Sequence, residues 1–250
     1  MQCIARSLRF SLFFSLVVLL VQAALFAKGF RTQISDTEKY SAIAKEITID
    51  RNGNRMRGTL TMPEELTGKL PSVLILHGFT GQRHENVIKG TNETMYGRTA
   101  TRFSSHGLVT LRIDFIGSGE SDGNWEDTTF SGQIDDAQAA LRYLSTQTFI
   151  DPERMAVLGL SQGGLVAAST AGRNSLVKTA ILWSPVADPE DTYALIVSRK
   201  TVIKGLRNTS QGTTSPLPWG AKPHSGTPFS GMCLWWIPLR RSPNSGETCW

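Results

Sequence analysis

Cysteine is nearly missing from this 250-residue chain: it occurs only at Cys3, Cys233 and Cys249, and residues 4–232 contain none. That stretch can form no disulfide and offers no thiolate metal site. Histidine is also scarce. His77, His84, His106 and His224 are the whole set, and no two have the spacing of a metal-ligand pair, so no metal is expected. Basic residues do not form a stripe interleaved with aromatics, so a net charge of +5 and a pI near 9.3 do not point to a nucleic-acid partner. Part of the surplus sits at Arg6, Arg9, Arg240 and Arg241, outside any expected core. A dinucleotide loop is lacking as well. Gly117-Ser-Gly119 follows a strand-like run, but the third glycine of G-x-G-x-x-G would fall at Asp122, so no nucleotide cofactor is expected. There is no internal repeat. What remains is ordinary globular composition, 40% hydrophobic and 19% charged, enough for one or two domains.

Long apolar runs are absent except at the start. Arg6 and Arg9 precede an apolar stretch from Phe10 to Phe26, followed by Ala27 and Lys28. Basic, apolar, then small is the order of a secretory signal peptide. Residues 1–27 are read as that signal, with a cut between Ala24 and Lys28. The alternative is an uncleaved membrane anchor, since the run is near the lower limit for spanning a bilayer. Either way the chain is expected to be exported, secreted or periplasmic.

From residue 40 the pattern alternates between strand and helix. Lys45–Asp50 and Met56–Met62 flank Asn52-Gly53, a strong hairpin signal. Ser72–His77 is almost continuously apolar, as expected of a strand buried on both faces. Helices are predicted over 96–105, 131–144 and 162–171, and strands over 108–113, 154–160 and 179–183. In the second helix Ile134, Ala137, Leu141 and Leu144 share one face. Asp135 and Asp136 are read as lying in its first turn, where the helix dipole favours negative charge. A hairpin followed by repeated β-α-β units implies an α/β fold with a mostly parallel sheet flanked by helices.

Chemistry concentrates in three segments. Gly159-Leu160-Ser161-Gln162-Gly163 matches the G-x-S-x-G nucleophile elbow, and it follows a buried strand and opens a helix, which is the context that motif requires. Ser161 is the candidate nucleophile, and Gly159 and Gly163 let neighbouring backbone pass closely. His77-Gly78-Phe79 follows the third strand. The loop there would supply one oxyanion N–H from Phe79 and the helix start another from Gln162. His77 as the catalytic base is disfavoured, because Ser, then Asp or Glu, then His is the expected order. Holding the loop by hydrogen bonds is the preferred role for it. His84 and His106 are read as ordinary polar residues.

The strings HGFTGQRHE, LRIDFIGSGESDG and GLSQGG resemble the cinnamoyl (feruloyl) esterase-like branch of the α/β-hydrolases, which includes serine aminopeptidase-like sequences. The resemblance covers residues 40 to 200. It implies a carboxylic ester hydrolase acting through an acyl-enzyme on a small-molecule ester, with Ser161 as nucleophile and Phe79 and Gln162 as oxyanion hole. Asp114 and Asp122 resemble residues that brace the loop beneath the site. A serine peptidase or amidase using the same site, or a non-catalytic truncated product, are the alternatives.

The resemblance stops before the family's last strands. Its triad acid and histidine have no counterpart here: Asp188 and Asp191 come too early and look like the start of a cap, and His224 has no strand before it. Without a base, catalysis should be nearly lost. Residues 40–199 are therefore read as the hydrolase core with the start of its cap, truncated before the last strands, and 200–250 as a cap remnant and a displaced-frame tail. Taking the last base of each codon with the first two of the next turns Met232-Cys-Leu-Trp-Trp-Ile237 into Val-x-apolar-Val-Asp. Continuing to Trp250, one permitted reading is DPVAEIAKFRGDLL, which resembles the family segment before the acid-bearing strand. The shift would fall near Lys222. A genuine divergent tail is the alternative.

Overall fold

The computed structural model describes residues 40–207. The expected signal segment, all three cysteines, His224 and the tail from 208 onward lie outside the described residues. Among the described residues six strands run β1 (Ala42–Arg51), β2 (Asn54–Pro63), β3 (Leu70–Leu76), β4 (Val109–Ile113), β5 (Ile150–Leu160) and β6 (Val177–Trp183). The α-helices among the described residues are α1 (Met95–Ser105), α2 (Phe130–Ser145), α3 (Gln162–Ala171), α4 (Pro189–Val197) and α5 (Arg199–Arg207).

β1 and β2 form the hairpin that Asn52-Gly53 announces. Both residues take positive φ, 54° and 84°, as the two-residue turn matching strand twist demands, and the turn fixes the register at Arg51↔Asn54. The strands lie in the order β1-β2-β4-β3-β5-β6. β2 runs antiparallel to both β1 and β4, whereas the β4-β3-β5-β6 part is parallel throughout.

β3 lies in the middle of that parallel part and shows why its sequence is apolar at successive positions. Leu74 and Leu76 point into one core with Ile134, Ala137 and Leu141 of α2 and Val166 of α3. Val73 and Ile75 point to the opposite face, against Tyr96 and Ala100 of α1. A strand covered on both faces has no solvent side to mark with polar residues. At the other end of the described sheet, β6 is thinly covered: Lys178 to Ala180 are exposed and Leu182 is 42% exposed.

One sequence expectation needs correcting. Thr129 caps α2, its hydroxyl accepting the Gly132 N–H at 2.9 Å, so the helix starts at Phe130 and its first turn holds no acidic residue. Asp135 and Asp136 belong to the second turn, beyond the strongest influence of the helix terminus. Asp136 is instead buried, accepting the Ile116 N–H at 2.9 Å and ion-paired with Arg51 at 3.1 Å.

Candidate active site

The parallel strands all end on one edge, and the candidate residues come from the segments leaving that edge. Ser161 is the single residue between β5 and α3. Its backbone has φ 54° and ψ −118°, a region that costs a non-glycine residue roughly 1–3 kcal/mol and persists only where surroundings enforce it. The enforcement is visible. The Ser161 N–H donates to the Trp183 carbonyl at 2.9 Å, and the Ser161 carbonyl accepts from Gly164 and Val186, each at 3.0 Å. The turn is thereby tied to its own helix and to the exit of β6.

Close packing explains the flanking glycines. A Cβ on Gly159 would lie 2.0 Å from the Gly163 carbonyl, and one on Gly163 would lie 2.4 Å from the carbonyls of Leu76 and His77. The start of α3 is therefore pressed against the end of β3, which brings the loop after β3 beside Ser161: a Cβ on Gly78 would sit 3.5 Å from that of Ser161. Gln162 is the first residue of α3, so its N–H has no acceptor one turn back and carries the positive end of the helix dipole. Phe79 stands in the β3 loop between two aromatic rings, edge-on to Trp125 at 5.6 Å and to Tyr193 at 5.2 Å.

His77 is buried beneath this site with both ring nitrogens engaged. Nδ1 donates to the Gly78 carbonyl at 2.8 Å and Nε2 accepts the Phe115 N–H at 3.3 Å. Burial pulls its pKa below the usual histidine value, opposed by the Gly78 bond and by Asp114. A neutral imidazole whose Nε2 is already occupied is poorly arranged to take a proton from Ser161.

Asp114 and Asp122 act at different depths. Asp114 is fully buried and accepts the Arg83 N–H at 2.7 Å and the Glu120 N–H at 2.9 Å. Arg83, itself buried, pairs with Asp114, with Glu46 at 2.9 Å and with Glu120, and its Nε donates to Thr59 at 3.2 Å. One guanidinium thus ties the loop after β3 to β1, to β2 and to the loop after β4. Asp122 lies at the surface, where Arg55 holds it at 3.0 Å and keeps its carboxyl below the ordinary value. Of the other histidines, His84 is exposed, and His106 ends α1 with Nδ1 donating to the Arg102 carbonyl at 2.8 Å. Asp188 caps α4 through the Asp191 N–H at 2.9 Å, and Asp191 pairs with Arg199. No cluster of His, Cys, Asp and Glu that could hold a metal occurs among the described residues.

Sequence reasoning missed Arg83, Trp125, Gln133 and Tyr193. Gln133 had a signal: a polar residue four positions before Ala137, on the apolar face of α2. Its Oε1 accepts from Gln162 Nε2 at 2.7 Å, while the Tyr193 hydroxyl donates to Gln162 Oε1. Arg83 and Tyr193 had none, because the hydrogen-bond partners of Arg83 lie 24 to 37 residues away and that of Tyr193 lies 31 away.

The order of strands and the strained serine at the β5–α3 turn are those of the α/β-hydrolase fold. Residues 95–203 match the prolyl oligopeptidase family (Peptidase_S9). Among curated proteins, the chain is 26% identical over 159 residues to the provisionally named hydrolase YtaP of Bacillus subtilis, covering 58% of this chain and 53% of that one. It is 26% identical over 193 residues to the thiohydrolase aneE of Aspergillus aculeatus, covering 74% and 56%. Among solved structures, the complex of ferulic acid with Est1E from Butyrivibrio proteoclasticus is 29% identical, with a TM-score of 0.52 over 60% of this chain and 56% of that one. The chain spans about half the length of the curated relatives it matches.

Proposed function

We propose that this protein hydrolyses carboxylic esters through an acyl-enzyme on Ser161. The observation that carries the reading is the positive-φ serine between a buried strand and a helix. Strain held at this position raises the hydroxyl above the sheet edge and sets the first helical N–H beside it. In the first step Ser161 Oγ attacks the carbonyl carbon and its proton passes to a general base. The carbonyl oxygen becomes an oxyanion held by the N–H groups of Phe79 and Gln162. Collapse expels the alcohol, which takes the proton, and water then repeats the sequence to release the acid. Two fixed donors matter because losing one costs about 2.7–4 kcal/mol of barrier.

The described residues supply the nucleophile and the donors but no base, since His77 is committed elsewhere and His224 lies outside them. The chain as written is therefore expected to turn over slowly, retaining about 10³–10⁴-fold catalysis over water. Est1E, solved with ferulic acid, and the aromatic rings of Phe79, Trp125 and Tyr193 support an aromatic or small acyl group. The match of residues 95–203 to the prolyl oligopeptidase family favours a second reading, amide hydrolysis at the same serine. Fluorophosphonate labelling of a full-length version of the protein tests the site: Ser161 is expected to carry the label, and a Ser161→Ala variant of it that still labels and still hydrolyses p-nitrophenyl acetate would sink the proposal. Faster turnover of p-nitroanilides than of p-nitrophenyl esters would favour the second reading.

Export rests on the Arg6–Ala27 pattern. A mature protein starting near Lys28 is expected, and one whose first residue is Met1 removes the cleaved-signal reading.

A further inference from the structure

Gln162 carries one of the two oxyanion N–H groups in the reading above, and its side chain is not free to wander. The carboxamide is held at both ends. Its Nε2 donates to Gln133 Oε1 at 2.7 Å, from the buried face of α2. Its Oε1 accepts from the Tyr193 hydroxyl, which comes from α4, the first helix after the core. The donors run in one direction, from the Tyr193 hydroxyl to Gln162 Oε1 and from Gln162 Nε2 to Gln133 Oε1. The ring of Tyr193 also stands edge-on to Phe79 at 5.2 Å. Phe79 and Leu165 of α3 pack with Val186, Tyr193, Val197 and Val202, a small core separate from those under the sheet.

One side chain outside the hydrolase core therefore touches both residues whose N–H groups would bind the oxyanion. It touches Gln162 by a hydrogen bond and Phe79 by ring packing. We propose that Tyr193 is a positioning residue. By docking α4 onto Phe79 and Gln162 it sets the direction of the oxyanion donors, so seating of this helix is part of assembling the active centre. The proposal rests on Ser161 being the nucleophile for its kinetic consequence, but not for its geometric one. Burial explains the use of a phenol here. Tyr193 is only 5% exposed and burial raises its pKa, so it stays protonated and keeps donating.

The test uses two readouts, the first on the chain itself and the second on a full-length version that supplies a base, each compared with its Tyr193→Phe variant, which removes only the hydroxyl. The first follows the Gln162 amide in chain labelled with 15N-glutamine. The backbone and side-chain resonances of Gln162 are expected to move in Tyr193→Phe, while those of Gln147, bound to the Tyr143 carbonyl at the far end of α2, stay in place. The second is hydrolysis of p-nitrophenyl acetate, a substrate too small to need the rest of a cap. Here kcat is expected to fall about tenfold with KM unchanged, short of the 10²–10³-fold loss on deleting a donor. Gln133→Leu, which frees the other end of the carboxamide, is expected to give the same pattern. A purely structural Tyr193 would instead lower the melting temperature and leave the kcat of the folded fraction intact. An unmoved Gln162 backbone resonance, or an unchanged kcat while Ser161→Ala abolishes turnover, overturns the proposal. If Ser161→Ala hydrolyses as well as the parent, the acyl-enzyme reading falls alone, and the Gln162 resonance still decides whether Tyr193 orients that peptide.

Discussion

Asp136 shows how a single residue was misjudged and what its true surroundings imply. Read as a first-turn acid, it would be stabilised as a carboxylate. It is instead buried, and desolvation raises its pKa from 3.8 to about 6, against the lowering effects of the Ile116 N–H and Arg51. A carboxyl whose folded pKa exceeds its unfolded one binds its proton more tightly in the folded state. Its contribution to stability is therefore complete below about pH 3.8 and is lost as pH rises through about 6. The shift corresponds to roughly 1–3 kcal/mol. Asp136→Asn keeps an oxygen for the Ile116 N–H and cannot titrate. Chemical denaturation of both proteins between pH 4 and 7 is expected to show the parent losing stability relative to the variant as pH rises. Parallel curves would mean that Asp136 does not titrate in this range.

Arg83 makes the corresponding argument for elements. The loop after β3 has no strand ladder to hold it, yet it must present Phe79 beside Ser161. It is fastened from below by a guanidinium that reaches β1 through Glu46, β2 through Thr59 and the loop after β4 through Asp114 and Glu120. Arg83→Met keeps much of the volume but leaves the Asp114 carboxylate, 0% exposed, without its countercharge. Removing one partner of a buried pair costs about 3–5 kcal/mol, so urea denaturation should show a loss of that order. Arg83→Met with Asp114→Asn together should recover part of it, because no charge is then stranded. A double variant no more stable than Arg83→Met would show that the pair is not the cause. The bracing role of Asp114 followed from the family resemblance, but Arg83 was not legible in advance. Hydrophobic period and turn chemistry exposed the hairpin, the buried strands and α3, which depend on neighbours in sequence. The elbow was legible from the G-x-S-x-G spacing between a buried strand and a helix, although Gly163 is required by the distant backbone of Leu76 and His77. Arg83 and Tyr193 get their meaning from contacts across the fold, which no window along the chain contains, whereas Gln133 showed itself only as a polar residue on the apolar face of α2.

At the scale of the whole molecule, the exposed face of β6 and the aperiodic tail raise one question. Leu182 is 42% exposed on a strand paired only with β5 among the described residues, and the curated relatives are nearly twice as long as the matched region. We propose that the sequence after about Lys222 is read in a displaced frame and that the original frame encodes what packs beside β6. The codons themselves argue for it. Met232 followed by Cys233 forces GTG, valine, whatever synonyms are used, and Trp235 followed by Trp236 forces valine again. Trp236 followed by Ile237 forces GAT, aspartate, and Cys249 followed by Trp250 forces leucine. Thr248 preceded by Glu247 forces aspartate or asparagine. A tail with three tryptophans among its last 16 residues thus hides apolar positions and acids at the spacing of an ordinary element. Sequencing the gene through residue 222 and beyond is expected to show one or two bases gained or lost. The restored frame should then run on through a strand ending in Asp to a later His. Expressed protein from that frame should label at Ser161 with fluorophosphonate far faster than the chain as written. A confirmed frame as it stands, or a restored frame that meets an early stop or lacks the Asp and His, ends the proposal.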